Sequence, residues 1–353
     1  MARDRLLLVA VVTPSGAELT GVRLHMLRRW LGLAPLTAGR GETVERSLGR
    51  HLAYGVQQAV NALANGAVYA LVAIGFTMIY AVLGKMVLAF GQVMMTGAFG
   101  AIVAGGALSA AGVGGNLLLI AVLAGAIAAA VAYSLAAGRV LGGLLRARSN
   151  QAALIASIGL AIALQEFVRL VQGAREIWLQ PPFPGRLPLF EAGGFDVSVG
   201  GATLVVLGVT LTFFGGVGLL MRSRFGRAYR ACVDDIAMAA LVGVRVPAVT
   251  LFVMAVGGCA AGIAGAFTAL IYGGVSFYAG AMIGLKALTA AIVGGIGSIG
   301  GAAAGGLLIA ALETASVAWL SPAYKDIVVF VALVAMLIWR PQGLAGLPRG
   351  RGD

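Results

Sequence analysis

Leu117 to Ala132 reads LLLIAVLAGAIAAAVA. That stretch has no polar face, whether it is wound as a helix or drawn out as a strand. A transmembrane barrel strand alternates apolar and polar residues over roughly ten positions, so this one is helical and belongs in a bilayer. The same pattern extends along the chain. No Asp, Glu, Lys or Arg occurs in the 34 residues between Arg50 and Lys85, the 53 between Lys85 and Arg139, the 25 between Asp196 and Arg222 or the 40 between Arg245 and Lys286. A spanning helix needs about 20 apolar residues, so some of these runs hold one span and others two. Only 11% of the 353 residues are charged and 60% are hydrophobic, whereas a soluble domain is about 25% charged. The expectation is an all-α polytopic membrane protein with eight or nine transmembrane helices, some broken by glycine.

The spans are placed at about 60–83, 89–110, 117–138, 152–172, 198–221, 247–271, 279–296, 301–320 and 326–339. The seventh is the weakest, because glycine interrupts it; a broken or re-entrant helix there would reduce the count to eight. The 54 glycines suit membrane helices, where small residues let backbones approach closely. Residues 1–50 form a separate N-terminal extension with no span. Its apolar run Leu6 to Val12 is too short to cross, and the extension reads as a disordered tail or a mis-called start, with Val44 as an alternative beginning. Residues 51–347 form the membrane domain and 348–353 a short tail.

Of the 25 basic residues, 22 are Arg, and they sit between the spans. That is the pattern of loops held on the cytoplasmic side and argues against nucleic-acid binding. Arg139, Arg146 and Arg148 mark one such loop and Arg222, Arg224, Arg227, Arg230 and Arg245 another; Arg340, Arg349 and Arg351 place the C-terminus on the same side. Segment 173–197 carries Pro181, Pro182, Pro184 and Pro188 with three acids, and is expected to be an irregular external loop.

Four features bear on function. The loop RSRFGRAYRACVDDIAMAALVGVRV (Arg222 to Val246) reads as an amphipathic helix able to dock on a soluble partner; its candidate residues are Arg227, Arg230, Asp234, Asp235, Ala239, Ala240 and Gly243. The run AAIVGGIGSIGGAAAGG (Ala290 to Gly306) places seven glycines in a membrane segment. Loose backbone there is tolerated only where protein buries it or it lines a watery cavity. Polar groups inside spans are Gln57, Gln58, Asn61, Asn65, Gln92, Gln165, Glu166 and Glu313. Glu166 is placed to pair with Arg169 one turn on, whereas Glu313 is either a buried structural group or part of a gate. The pathway or gating candidates are Gly91, Gln92, Gly97, Gly294, Gly295, Gly297, Ser298 and Glu313. The fourth feature is an absence: no metal-ligand cluster, nucleophile–base arrangement or nucleotide-binding loop appears. With Cys232 and Cys259 as its two cysteines, the chain is expected to be neither an enzyme nor a cofactor binder, and any pumping would draw on ions or a separate subunit.

From Tyr54 to Leu347 the chain resembles the membrane permease subunits of bacterial branched-chain amino acid ABC transporters, of the LivH type. The resemblance rests on NGAVYALVAIGFTMIYAVLG (Asn65 to Gly84), GRAYRACVDDIAMAALVG (Gly226 to Gly243), LKALTAAIVGGIGSIGGAAAGGLLIAALE (Leu285 to Glu313), YKDIVVF (Tyr324 to Phe330) and RPQGLAG (Arg340 to Gly346). It implies an inner-membrane importer in which two related permeases form the pathway, two ATPase subunits bind below and a periplasmic solute-binding protein delivers substrate. The Arg222 to Gly243 loop would then transmit ATPase closure to the pathway, which alternates its access. One departure stands out. Where such permeases commonly read Asn-Phe-Ala-His-Gly-Glu, this chain reads Val87-Leu88-Ala89-Phe90-Gly91-Gln92, which implies a more apolar lining. Related permeases serve urea, short amides and other amino acids, so hydrophobic amino acids are the expected substrate and these are its alternatives, with an ion-coupled carrier as a further one.

Overall fold

The computed structural model describes residues 40–112, 114–145, 150–173, 175–178, 185–192 and 195–345. Most of the expected N-terminal extension and the 348–353 tail lie outside the described residues. The helices are α1 (Arg40–Leu83), α2 (Phe90–Ala110), α3 (Asn116–Leu145), α4 (Asn150–Gln172), α5 (Gly201–Arg222), α6 (Arg224–Asp234), α7 (Ile236–Leu241), α8 (Val246–Tyr272), α9 (Ala279–Gly294), α10 (Ile299–Trp319) and α11 (Lys325–Trp339). Four short strands, β1 (Ile177–Trp178), β2 (Arg186–Ala192), β3 (Phe195–Gly200) and β4 (Gly274–Val275), make two antiparallel pairs, β1 with β4 and β2 with β3.

Among the described residues eight helices are long and apolar enough to cross a membrane. The ninth apolar helix, α9, has 16 residues. That is about 24 Å of helix against a hydrocarbon core of about 30 Å; α11, with 15 residues, reaches crossing length only together with the 3-10 turn Pro322–Tyr324 before it.

The centre is formed by α1, α2, α3, α8, α9 and α10. Antiparallel α1 and α8 are joined at one end by Tyr272 donating to Asn65 over 3.0 Å and lie side by side at Gly75 and Gly257. After α1 the chain turns back on itself: Val87 and Ala89 are buried and the Phe90 ring packs between Gly75 and Gly257. Helix α2 therefore begins at mid-depth rather than at a surface. The connection after α8 does the same from the opposite end, and α9 begins with Gly280 against Gln92 and Met95 of α2. The pair α8–α9 is thus an inverted counterpart of α1–α2, and α10 lies on α1 at Gly306 and Ala70 much as α3 lies on α8 at Ala126 and Gly262.

Two helices that both start at mid-depth can meet there only if their backbones touch. A Cβ on Gly91 would sit 2.6 Å from the Gly280 carbonyl oxygen and 2.8 Å from Gly284 Cα, so no other residue fits this crossing. Small residues take the place of a hydrophobic drive that lipid does not offer.

Three expectations need correction. The first helix runs from residue 40 rather than about 60, because nothing in HLAYGVQQAVNALANG breaks it; its 44 residues cover about 66 Å, so its first half projects beyond the membrane. Part of the segment read as an irregular loop is the β2–β3 hairpin. Val197 and Val199 alternate inward, Gln57 of α1 accepts from the Ser198 amide over 3.0 Å, and Pro188 sits beside the irregularity in the ladder, where a residue lacking N–H is tolerated. The fifth span accordingly starts at Gly201, after the strand. Pro181, Pro182 and Pro184 lie outside the described residues.

Replacing Gly91 with Val should overpack this crossing at a cost of about 1–3 kcal/mol, read as a lower unfolding midpoint of the purified protein. Gly106, on the same helix but facing open space, should accept Val without change.

Candidate functional site

The arginine-rich loop is two helices, not one. Asp235 is extended, with φ −156° and ψ 115°, and its carboxylate accepts from the amides of Ala237 (2.7 Å) and Met238 (3.0 Å). An aspartate in that geometry starts a helix, so it ends α6 and caps α7. Ser223 caps α6 by accepting from Phe225 over 3.2 Å, and Arg230 donates to the Met221 carbonyl over 2.7 Å, placing its charge on the last turn of α5. Tyr229, Cys232 and Ala239 are buried against the bundle, and Phe225 stacks on Phe252 of α8 with centroids 4.8 Å apart. Burial pushes the Tyr229 phenol up to about 12 and raises the Cys232 thiol, so neither ionises near neutrality.

Of the loop candidates, Arg227, Arg230, Asp234, Asp235, Ala240 and Gly243 face outward, and Ala239 instead anchors the loop. Four exposed apolar groups stand beside them that are not among the candidate residues. Ile236, Met238, Leu241 and Val242 present a bare apolar edge, with Leu241 81% exposed. Helical period does not separate the two sides of a six-residue helix.

Glu313 lies in a charge cluster. Lys286 Nζ of α9 is 2.7 Å from Glu313 Oε1 of α10 and 2.7 Å from Asp326 Oδ1 of α11, and the Tyr69 hydroxyl of α1 donates to Glu313 Oε2 over 2.6 Å. Lys286 and Glu313 are buried, while the Asp326 side chain is 44% exposed. A buried charge persists only when paired and hydrogen-bonded; here one ammonium serves two carboxylates and ties four helices together. Sequence reasoning found Glu313 and passed over Lys286, although a lysine inside an apolar predicted span was the available signal. Glu166 does pair with Arg169, at 3.0 Å and half-exposed.

The glycine run breaks between α9 and α10. Gly294 ends α9, Gly295 and Gly297 form the turn, and Ser298 caps α10 by accepting from the Gly301 amide over 3.1 Å. The C-terminal segment then closes this turn. Leu344 N–H donates to the Val293 carbonyl over 2.9 Å and Ala345 N–H to that of Gly294 over 3.0 Å, satisfying carbonyls that a helix end leaves open. Gly343, at φ +76°, is what lets the segment pass against Gly295. Alongside, a cavity of about 10 Å³ lined by Thr77, Tyr80, Met86, Val87, Leu288 and Ile296 has room for about one water.

At the other break, Gln92 is buried, its Nε2 lies 3.4 Å from Gln165 Oε1 of α4, and its Oε1 has no hydrogen-bond partner among the described residues. Gly97 packs on Gly262 and Ala126. The structure brings Gly91, Gln92 and Gly97 together on α2, and separately Gly294, Gly295, Gly297 and Ser298 at the α9–α10 turn; Glu313 belongs to the ion cluster. Among the described residues no three His, Cys, Asp or Glu side chains are grouped to hold a metal.

Together these features define a polytopic α-helical membrane protein built around discontinuous helices. Residues 58–337 match the family described as "Branched-chain amino acid transport system / permease component", and the chain belongs to that family. It is 37% identical over 297 residues to the "High-affinity branched-chain amino acid transport system permease protein LivH" of Escherichia coli (strain K12), covering 84% of this chain and 96% of that one. The permease protein BraD of the corresponding Pseudomonas aeruginosa system is 35% identical over 295 residues, or 83% of this chain and 96% of that one. The "Xylose transport system permease protein XylH" of Escherichia coli (strain K12) is 30% identical over 145 residues, 39% of this chain and 37% of that one. No solved structure matches.

Replacing Lys286 with Met strands Glu313 and should cost about 3–5 kcal/mol. Asp326→Asn, which leaves the Lys286–Glu313 contact in place, should cost about 0–1 kcal/mol. Unfolding midpoints of the two purified variants, measured side by side, check this order.

Proposed function

We propose that this chain is the membrane permease subunit of an ATP-binding-cassette importer for branched-chain amino acids, with no catalysis of its own. The observation that carries the reading is the near full-length similarity to the LivH and BraD permeases. The site that fits it best is the α6–α7 loop. A bare apolar edge of Ile236, Met238, Leu241 and Val242, flanked by Arg227, Arg230, Asp234 and Asp235, is what a soluble subunit needs in order to grip a membrane protein. Exposed apolar groups outside lipid mark an interaction surface, and an amphipathic helix docks in a groove by that edge.

In this reading two ATPase subunits bind the loop, a second related permease completes the pathway and a periplasmic solute-binding protein delivers substrate on the opposite side. The basic residues of the loop and of Arg340 put the α6–α7 end and the C-terminus in the cytoplasm of a bacterial inner membrane. The hairpin and the projecting half of α1 then face the periplasm. Gly91 and Gln92 lie where α2 and α9 start against each other, with Gly97 farther along α2 on Gly262 and Ala126, an arrangement like that which places substrate sites at mid-membrane in transporters with broken helices. Gly294, Gly295, Gly297 and Ser298 form the cytoplasmic closure. Glu313, held by Lys286 and Tyr69, fastens helices rather than conducting ions.

Leu241→Glu should leave membrane insertion intact and lower both ATP hydrolysis stimulated by the binding protein and leucine uptake by about tenfold or more, equivalent to about 1.4 kcal/mol of docking energy. Reversing both acids, Asp234→Arg with Asp235→Arg, should uncouple hydrolysis from uptake. Normal uptake in membrane vesicles by both variants would rule out the loop as the docking site.

A further inference from the structure

Gln92 occupies an unusual position for a polar side chain. It is 3% exposed, its Oε1 accepts no hydrogen bond among the described residues, and its Nε2 makes only a long contact of 3.4 Å with Gln165. The carboxamide lies over the first turn of α9, since a Cβ on Gly280 would fall 2.6 Å from Gln92 Oε1. A buried acceptor left open is a costly feature of a folded protein, and this one stands at the point where two helices begin.

Those two helix starts are open as well. Neither α2 nor α9 has a side-chain cap. At α2 the amides of Phe90 and Gln92 turn back to Val87 and Ala89, and at α9 those of Ala279 and Ala281 turn back to Ser276 and Tyr278. Among the described residues the Gly91 and Gly280 amides between them make no backbone hydrogen bond. Two N-termini that start side by side supply donors and partial positive charge, and the Gln92 oxygen supplies an acceptor beside the first turn of α9. The backbones touch at Gly91 and Gly284, and on the flank toward α4 the half-buried Gln165 stands against Gln92.

A group that fits both halves of this arrangement carries donors and an anionic acceptor a few bonds apart. We propose that Gln92, Gly91 and Gly280 form a transit site for the zwitterionic head of an α-amino acid. Gln92 Oε1 accepts from the ammonium group, and one of the two free first-turn amides, Gly280 or Gly91, donates to the carboxylate. This rests on the permease reading above and adds to it the residue that selects the head group.

The test uses the assembled transporter in proteoliposomes with its ATPase subunits and binding protein, reading leucine delivered per ATP hydrolysed. Gln92→Met keeps the volume and removes the acceptor; Gln92→Glu keeps the acceptor. The expected result is a fall in that ratio of about tenfold or more for Gln92→Met, with Gln92→Glu within about threefold of the parent. A Gln92→Met complex that delivers leucine like the parent overturns the site. So does an equal loss in both variants, which would mark the position as packing against Gly280. A parent complex that hydrolyses ATP without moving leucine counts against the permease reading itself and takes the site with it.

Discussion

Backbone amides are costly to leave open in hydrocarbon, where each unpaired group costs several kcal/mol. Helices α2 and α9 both start inside the bundle, so this protein has to bury two sets of first-turn amides and two returning connections. The rest of the architecture follows from that requirement. Helices α1 and α8 run the full depth and shield the returning segments; the Phe90 ring fills the gap between Gly75 and Gly257; α3 and α10 close the outside. The glycine contacts at Gly91, Gly280 and Gly284 exist because the two starts must meet with nothing between them. Helices farther from this centre, α4, α5 and α11, keep apolar outer faces for lipid or a neighbouring subunit.

The charge cluster answers a different problem. Helix α9 is too short to hold its place by spanning, and it has loose backbone at both ends. Lys286 fixes its middle to α10 and α11, with Tyr69 of α1 holding the far oxygen of Glu313. At the other end, Leu344 and Ala345 fasten the last carbonyls of α9. Both ties involve α11 or the segment that follows it, so α9, α10, α11 and the C-terminal segment are joined by specific polar bonds at two places.

Much of this was legible in the sequence, for a physical reason. Membrane insertion is decided by composition over about 20 residues, and charge-free runs as long as 53 residues leave little choice. Gly294 to Ser298 could be read as a break because backbone freedom is a local property. What stayed hidden depended on contacts between distant residues. Pro188 suggested a loop because proline disfavours strands, while the alternation of Val197 and Val199 that defines the hairpin matters only once α1 is beneath it. Asp326 sits at the start of a predicted span and looks like an ordinary first-turn acid until α9 brings Lys286 to it. Asp235 was visible as a charge, yet its role as the cap that divides α6 from α7 depends on where the backbone turns. Gln92 was picked out as a polar group in a span, and its unfilled oxygen becomes apparent only against Gly280.

These contacts also say where movement is cheapest. Shifting α9 against α10 or α11 would strand Lys286, Glu313 or Asp326 in a medium that penalises unpaired charge, and it would expose the carbonyls that Leu344 and Ala345 now satisfy. Shifting α9 against α2 breaks only van der Waals contact between glycines, because among the described residues no backbone hydrogen bond crosses that seam. Helix–helix sliding over small residues loses little at any step, whereas an ion pair or a hydrogen bond is lost all at once. The seam between α2 and α9 is therefore the compliant joint of the molecule. It runs through Gly91 and Gly280 beside Gln92, whose buried oxygen has no hydrogen-bond partner among the described residues, so relative motion of the two inverted halves would act first on that position.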